Sequence, residues 1–205
     1  MTYDRPTISL GFTEQPFEAG IHVCQIFGDD EERQDSLFKF LLSGLQGGER
    51  TSCFSEKVDE VRLAELFDHA GISFAEVKAS GSLTIAGTQA VYFQDNCFNP
   101  ERMLEILTHY YLESIQQGYP AARVIGEMMP EVQHLPGGSR LLEYESRVSL
   151  LLREHPITAV CQYDAHGFDG ATILDILKVH PFMIVRGAVI RNPFFIQPEE
   201  YLLQI

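Results

Sequence analysis

The chain is short of cations and has no paired cysteines, and both shortages narrow what it can be. Its 205 residues hold 15 Lys or Arg against 29 Asp or Glu, a formal net charge of −14. So acidic a molecule repels DNA phosphates and anionic lipid, so neither nucleic acid nor membrane is expected as a direct partner. No local basic cluster offers a pocket for a phosphate-rich ligand. The four cysteines, Cys24, Cys53, Cys97 and Cys161, form no CxxC pair, which removes the zinc-knuckle spacing. Three of them sit in apolar strand-like runs, where a free thiol behaves as a small hydrophobe. No apolar stretch reaches the ~20 residues that cross a bilayer. The N-terminus shows no basic segment leading into an apolar core, so no secretory signal is expected and the expected compartment is the cytoplasm. Gly-x-Ser-x-Gly and His-Glu-x-x-His are also missing, which excludes the nucleophile elbow and the helical zinc-protease pair.

What is present is ordinary globular composition, 45% hydrophobic and 21% charged, in a length suited to one domain with a substantial core. Residues 1–19 read as a loosely structured lead-in and residues 20–205 as the domain. The organising stretch is Gly20 to Lys57. His22 to Phe27 is a buried-strand run between glycines. Gly28 to Ser36 is a polar, acidic connection. Leu37, Phe40, Leu41 and Leu45 recur at helical spacing, Gly47-Gly48 stops the helix, and Arg50 to Glu56 is a second strand. This is a βαβ unit, so a parallel sheet is expected. In nucleotide-binding versions the connection is a glycine-rich phosphate cradle ending in Lys-Ser/Thr. Here the lysine and the second glycine are missing, and Asp29, Asp30, Glu31 and Glu32 stand where phosphates would sit. Like charges at that range oppose phosphate binding.

Strand and helix patterns then alternate. Helices are expected over Asp59–His69, from Pro100 behind an Asn99 cap to Gln117, over Arg140–Glu154, and over Gly170–His180. Phe74–Lys78 reads as a short helical turn. Strands are expected at Leu83–Ala86, Ala122–Met128 and Ile157–Asp164. Pro130–Gly138 reads as a loop, and Phe182–Val185 with Ala188–Ile190 as a closing hairpin. The fold class that follows is α/β: a three-layer sandwich on a mostly parallel sheet.

Ligands of such sheets bind outside the carboxyl ends of the strands. Those ends carry Phe27, Gly28, Glu56, Glu127, Met128, Tyr163 and Asp164, the expected ligand-binding set. Glu127 reads either as a carboxylate aimed into a crevice or as a solvated loop cap. Tyr163 and Asp164 read either as a pocket rim or as a packed ring and a turn cap. His22 and Cys24 share a strand face. With Cys161 they are the possible soft-metal or ligand residues, against the alternative of a buried, backbone-bonded histidine. His155 and His180 precede prolines at helix ends and read as caps. The carboxyl ends at Phe27, Glu127 and Tyr163 are expected to meet across a crevice, with Glu127 and Asp164 near one another.

His22-x-Cys24, GLQGGE, GYPAARVIGEM, LLEYE, VCQYD and the His-Pro before the final hairpin together resemble the MEDS family. These sensory domains are named for methanogens, methylotrophs and a regulator of dichloromethane degradation. The resemblance covers residue 20 to the C-terminus. It implies a diverged RecA/KaiC-type, P-loop-derived fold with a degenerate phosphate loop. It also implies a non-enzymatic sensor without cofactor that binds a small hydrocarbon-derived ligand and signals to a histidine kinase or transcription regulator. No DNA-binding or kinase segment is visible, so signalling is expected in trans, and self-association is left open. The alternatives are a nucleotide-binding or ATP-hydrolysing protein with an atypical loop, and a ligand-free interaction scaffold.

Overall fold

The computed structural model describes residues 5–205. A two-stranded ribbon, β1 (Thr7–Ile8) with β2 (Phe17–Glu18), leads into β3 (His22–Phe27), α1 (Asp30–Gln46), β4 (Arg50–Phe54), α2 (Glu60–His69), α3 (Phe74–Ala79) and β5 (Leu83–Ala86). Then come α4 (Thr88–Tyr92), α5 (Pro100–Gln116), β6 (Ala122–Met128), α6 (Leu141–Glu154), β7 (Ile157–Asp164), α7 (Gly170–Val179), β8 (Phe182–Val185), β9 (Ala188–Arg191) and α8 (Pro198–Tyr201). The main sheet has seven strands in the order β5-β4-β6-β7-β3-β8-β9. All are parallel except β9, which folds back on β8.

That order explains the layers. From β3 the chain runs outward to β4 and β5, then returns to fill the gap with β6 and β7. Right-handed crossovers put the helices of the outward and return journeys on opposite faces. Leu37, Phe40 and Leu41 of α1 and Leu63 and Phe67 of α2 pack with Val23, Cys53, Ile125 and Val160. On the other face Met103 and Leu107 of α5, Tyr144, Val148 and Leu152 of α6, and Ile176 and Leu177 of α7 pack with Cys24, Val124, Ala159 and Tyr163. The three-layer α/β architecture and the adjacency of β6, β7 and β3 agree with the reading of the sequence. No helix among the described residues is long and apolar enough to cross a membrane.

Three segments differ from expectation. The acidic connection Gly28–Ser36 is mostly helix. Asp29 caps α1 by accepting the Glu31 N–H at 2.7 Å, and Asp30, Glu31 and Glu32 fill the first turn. Carboxylates are favourable there because the helix N-terminus carries positive partial charge, so an acidic run that looks like a loop starts a helix. The lead-in is packed rather than loose over its described part, with Leu10, Phe17 and Ala19 buried. Its anchor is Arg123 of β6, whose buried guanidinium donates to the carbonyls of Ser9 (3.0 Å) and Phe40 (2.9 Å) and pairs with Glu49. Pro130–Gly138, expected as a loop, holds a 3-10 turn over Pro130–His134.

Candidate functional site

At the carboxyl edge Phe27 lies in register with Asp164, Met128 with Tyr163, and Glu127 with Gln162. Successive side chains leave a strand on opposite faces. Glu127 and Tyr163 therefore do not converge: Glu127 turns toward α1, and Tyr163 toward α6. Glu127 and Asp164 do not pair either. Asp164 accepts the His166 N–H at 2.8 Å in a local turn. Glu56 accepts the Gln89 N–H at 2.7 Å at the start of α4. Phe27 and Met128 are buried, Met128 in the core beneath α5 to α7, and Gly28 is exposed.

The α1 face holds a closed polar network. Arg33 is fully buried and donates to Asp30 (2.7 Å), to Ser55 Oγ (3.3 Å) and to the Lys57 carbonyl (3.0 Å). Its guanidinium carbon lies 5.7 Å from the centre of the Phe27 ring. Glu127 accepts from Ser55 Oγ at 2.7 Å and lies 3.5 Å from Arg33 Nη1, with exposed Lys57 Nζ 3.9 Å away. Gln162 donates to Gln25 Oε1 (2.8 Å) and to the Arg33 carbonyl (3.1 Å), and Gln25 donates to Ser36 (3.1 Å). The first turn of α1 is thus stitched to the ends of β3, β4, β6 and β7 by the protein's own charges.

The opposite face holds a second polar cluster, between the sheet and α6 and α7. The side-chain donor atoms of His22, Glu145, Cys161 and His180 all lie within 4.8 Å of one another. Glu145 Oε2 is 3.3 Å from His22 Nε2, 3.5 Å from His180 Nε2 and 3.7 Å from Cys161 Sγ. Tyr163 donates its hydroxyl to Glu145 Oε1 at 2.6 Å. Burial, aided by the neighbouring His180, lowers the His22 pKa to about 4, against the pull of Glu145. Burial would push the Glu145 carboxyl up, but His180 and His22 outweigh it and hold it well below the usual carboxylate range. Burial, and then the nearby carboxylate, push the Cys161 thiol and the Tyr163 phenol well above their ordinary values.

Of the possible metal or ligand residues, His22 and Cys161 meet here. Cys24 is buried in the apolar core beside them, its thiol pushed up to about 12 by burial. His22 bonds to side chains rather than to backbone: Nδ1 meets Ser149 Oγ at 2.8 Å and Nε2 meets Cys161 Sγ at 3.4 Å. His180 follows α7 and bonds Nδ1 to the Ile176 carbonyl at 2.8 Å, which agrees with its reading as a cap, but its other nitrogen faces Glu145. Glu145, Ser149 and Arg33 are absent from the expected set. A signal for two of them existed. Glu145 sits on the apolar stripe Leu141, Val148 and Leu152, and Arg33 one turn before Leu37, so each charge occupies a position that should be apolar.

The model of the MEthanogen/methylotroph, DcmR Sensory domain matches residues 21–181. The transcriptional repressor DcmR of Methylorubrum extorquens is 23% identical over 160 residues, which are 78% of this chain and 57% of the repressor. The chain therefore spans little more than half the length of that relative. Among solved structures the chain is similar to the flagellar accessory protein FlaH from Methanocaldococcus jannaschii, with TM-score 0.61 and 10% identity, over 91% of this chain and 84% of that one. It is also similar to a KaiC-like protein from Pyrococcus horikoshii, with TM-score 0.58 and 15% identity, over 87% of this chain and 79% of that one. At such identities these likenesses carry the fold alone, and that fold is RecA-type. With four-fifths of its length matched, the chain belongs to the MEDS family of sensory domains.

Proposed function

We propose that the chain is a non-enzymatic sensor that binds a small, hydrocarbon-derived organic ligand at the carboxyl edge of the sheet and relays the change to a regulatory protein. The observation that carries this reading is the closure of the nucleotide end of the scaffold. Asp29 occupies the N-terminus of α1, three further carboxylates follow it, Arg33 is turned inward onto Asp30, Ser55 and Glu127, and the Lys57 amine lies against Glu127. An anion site needs free N–H groups at that terminus and a cation free to meet phosphate. The phosphate loop is in this sense degenerate. Of the residues at that edge, the ligand is read beside Glu127 and Lys57 on the α1 face, since Tyr163 turns to the opposite face. Exposed Lys57 is the exchangeable partner of Glu127, so a ligand hydroxyl or amine that replaces it disturbs the Arg33 contacts and with them the start of α1. The partner class is a transcription regulator or histidine kinase. Membership of a sensory family and similarity to a transcriptional repressor support it.

Thermal denaturation of the full chain against small halogenated hydrocarbons, alcohols and amines tests the reading. A ligand selective for the native state stabilises it by about 2.7 kcal/mol at 100 times its Kd. At least one compound class is expected to raise Tm in a concentration-dependent way. If no compound acts, or if magnesium-ATP alone does, the chain is a scaffold or a nucleotide binder and the proposal is wrong.

A further inference from the structure

We propose that His22, Glu145, Cys161 and His180 bind a single zinc-class divalent metal ion between the sheet and α6 and α7. The donors are both imidazole Nε2 atoms, one carboxylate oxygen and the thiolate. The inference does not depend on which small molecule the domain senses.

Four of the six donor–donor separations are those of a coordination tetrahedron, and the other two lie within 4.8 Å. With metal–N or metal–O bonds of about 2.0–2.1 Å and a metal–S bond of about 2.3 Å, the edges of such a tetrahedron come to roughly 3.3–3.7 Å. The separations Glu145 to His22 (3.3 Å), Glu145 to His180 (3.5 Å), His22 to Cys161 (3.4 Å) and Glu145 to Cys161 (3.7 Å) fall in that range. These are also hydrogen-bond-like distances, so the protons decide between the two readings.

A carbonyl only accepts, so the Nδ1 of His180 that meets the Ile176 carbonyl carries the proton. Ser149 Oγ donates to the Val179 carbonyl at 3.4 Å, which leaves it to accept from His22 Nδ1 at 2.8 Å. Each ring thus uses Nδ1 for its outward hydrogen bond and turns Nε2 inward toward Glu145 Oε2. His180 Nε2 is fully buried and has no hydrogen-bond partner among the described residues. Buried polar atoms are almost always satisfied, and a metal ion held by both Nε2 atoms and the carboxylate would satisfy all three. Charge points the same way. Thiolate and carboxylate together neutralise a divalent ion, so the site would hold the metal without a net buried charge.

The surroundings have the form of an outer shell. Ser149 and the Ile176 carbonyl fix the two ring orientations, and the Tyr163 hydroxyl holds the carboxylate oxygen that the metal does not take. A cavity of about 180 Å³ lined by His22, Ser149 and Phe182 gives a route inward from the amino-terminal edge of β3. As the S–metal bond forms, the Cys161 S–H bond breaks and its proton leaves to solvent.

The test is cobalt(II) titration of the chelator-treated full chain, followed by zinc. One equivalent is expected, with tetrahedral d–d bands and a sulfur-to-cobalt charge-transfer band, all lost when one equivalent of zinc is added. Cys161→Ser is expected to abolish the charge-transfer band, and His180→Ala to weaken cobalt binding at least 10-fold. Cys24→Ser and Cys53→Ser leave both unchanged. Circular dichroism identifies variants that fail to fold, and the wild-type stoichiometry stands without them. A folded wild-type chain that takes up neither ion stoichiometrically at micromolar concentration overturns the proposal. So does a charge-transfer band that survives in folded Cys161→Ser or disappears in folded Cys24→Ser.

Discussion

Arg33 and Arg123 are both fully buried, and each is held in the interior by partners fixed on several elements. Arg33→Met leaves the carboxylate of Glu127, a residue 3% exposed, to Ser55 and an exposed lysine among the described residues. Breaking one side of a buried pair costs about 3–5 kcal/mol, and urea denaturation should show a loss of that size. Arg33→Met with Glu127→Leu removes the orphaned charge and is expected to recover most of it. A double variant as unstable as the single one would show that the two charges are not coupled. On the other face Tyr163→Phe removes a 2.6 Å hydrogen bond to an ionised, buried carboxylate. Bonds of that kind are worth about 1.5–3 kcal/mol, so this near-isosteric change should lower stability measurably by the same denaturation assay.

Between elements, α1 seats against β6 with no spare room. A Cβ on Gly44 would meet Arg123 Cδ at 2.6 Å and Thr51 Cγ2 at 2.5 Å. Alanine is normally preferred over glycine inside a helix by about 1 kcal/mol. Here Gly44→Ala is expected to destabilise by about 1–3 kcal/mol, because the guanidinium it displaces is bonded on four sides and overpacking carries that cost. A Tm at or above wild type would mean that Arg123 can shift freely. The ion pairs between α5 and the start of α6 behave differently because they are solvent-exposed. Arg140 and Arg147 bridge Glu101 to Glu143 at the surface. Hydrogen bonds from Arg140 come first among the causes that lower the Glu101 pKa to about 2. The folded value lies below the ordinary ~4.3, so the stabilisation is present above that pH and is lost as pH falls toward 2. With Glu101 half exposed it amounts to no more than about 1 kcal/mol. NMR titration should place the Glu101 midpoint near 2, and Arg140→Ala should move it upward; an unmoved midpoint would contradict the assignment.

The elements themselves were legible in the sequence because their signals are local. Asn99-Pro100 starts a helix, Gly28 and Gly20 bound a strand, and the apolar run opening Ile157–Asp164 marks β7. The pairing of functional side chains was not legible, because it depends on register between strands distant in sequence. Glu127 and Tyr163 end neighbouring strands, yet a one-residue offset in the β6–β7 register puts them on opposite faces. The Arg33–Asp30 pairing was also hidden: acidic residues that look like a loop are stable in a helix once an arginine one turn on is drawn indoors.

Across the whole molecule, the RecA-type sheet is kept while its two faces carry separate polar interiors. Arg33 and Glu127 lie beneath α1, and the two imidazoles with Glu145 and Cys161 lie beneath α6 and α7. A net charge of −14 adds long-range repulsion toward any polyphosphate approaching the carboxyl edge. The account therefore rests on this fold having exchanged nucleotide binding for sensing. Isothermal titration calorimetry of the full chain with magnesium-ATP tests it most directly. The account predicts no saturable heat up to millimolar nucleotide; stoichiometric binding at micromolar Kd would contradict it.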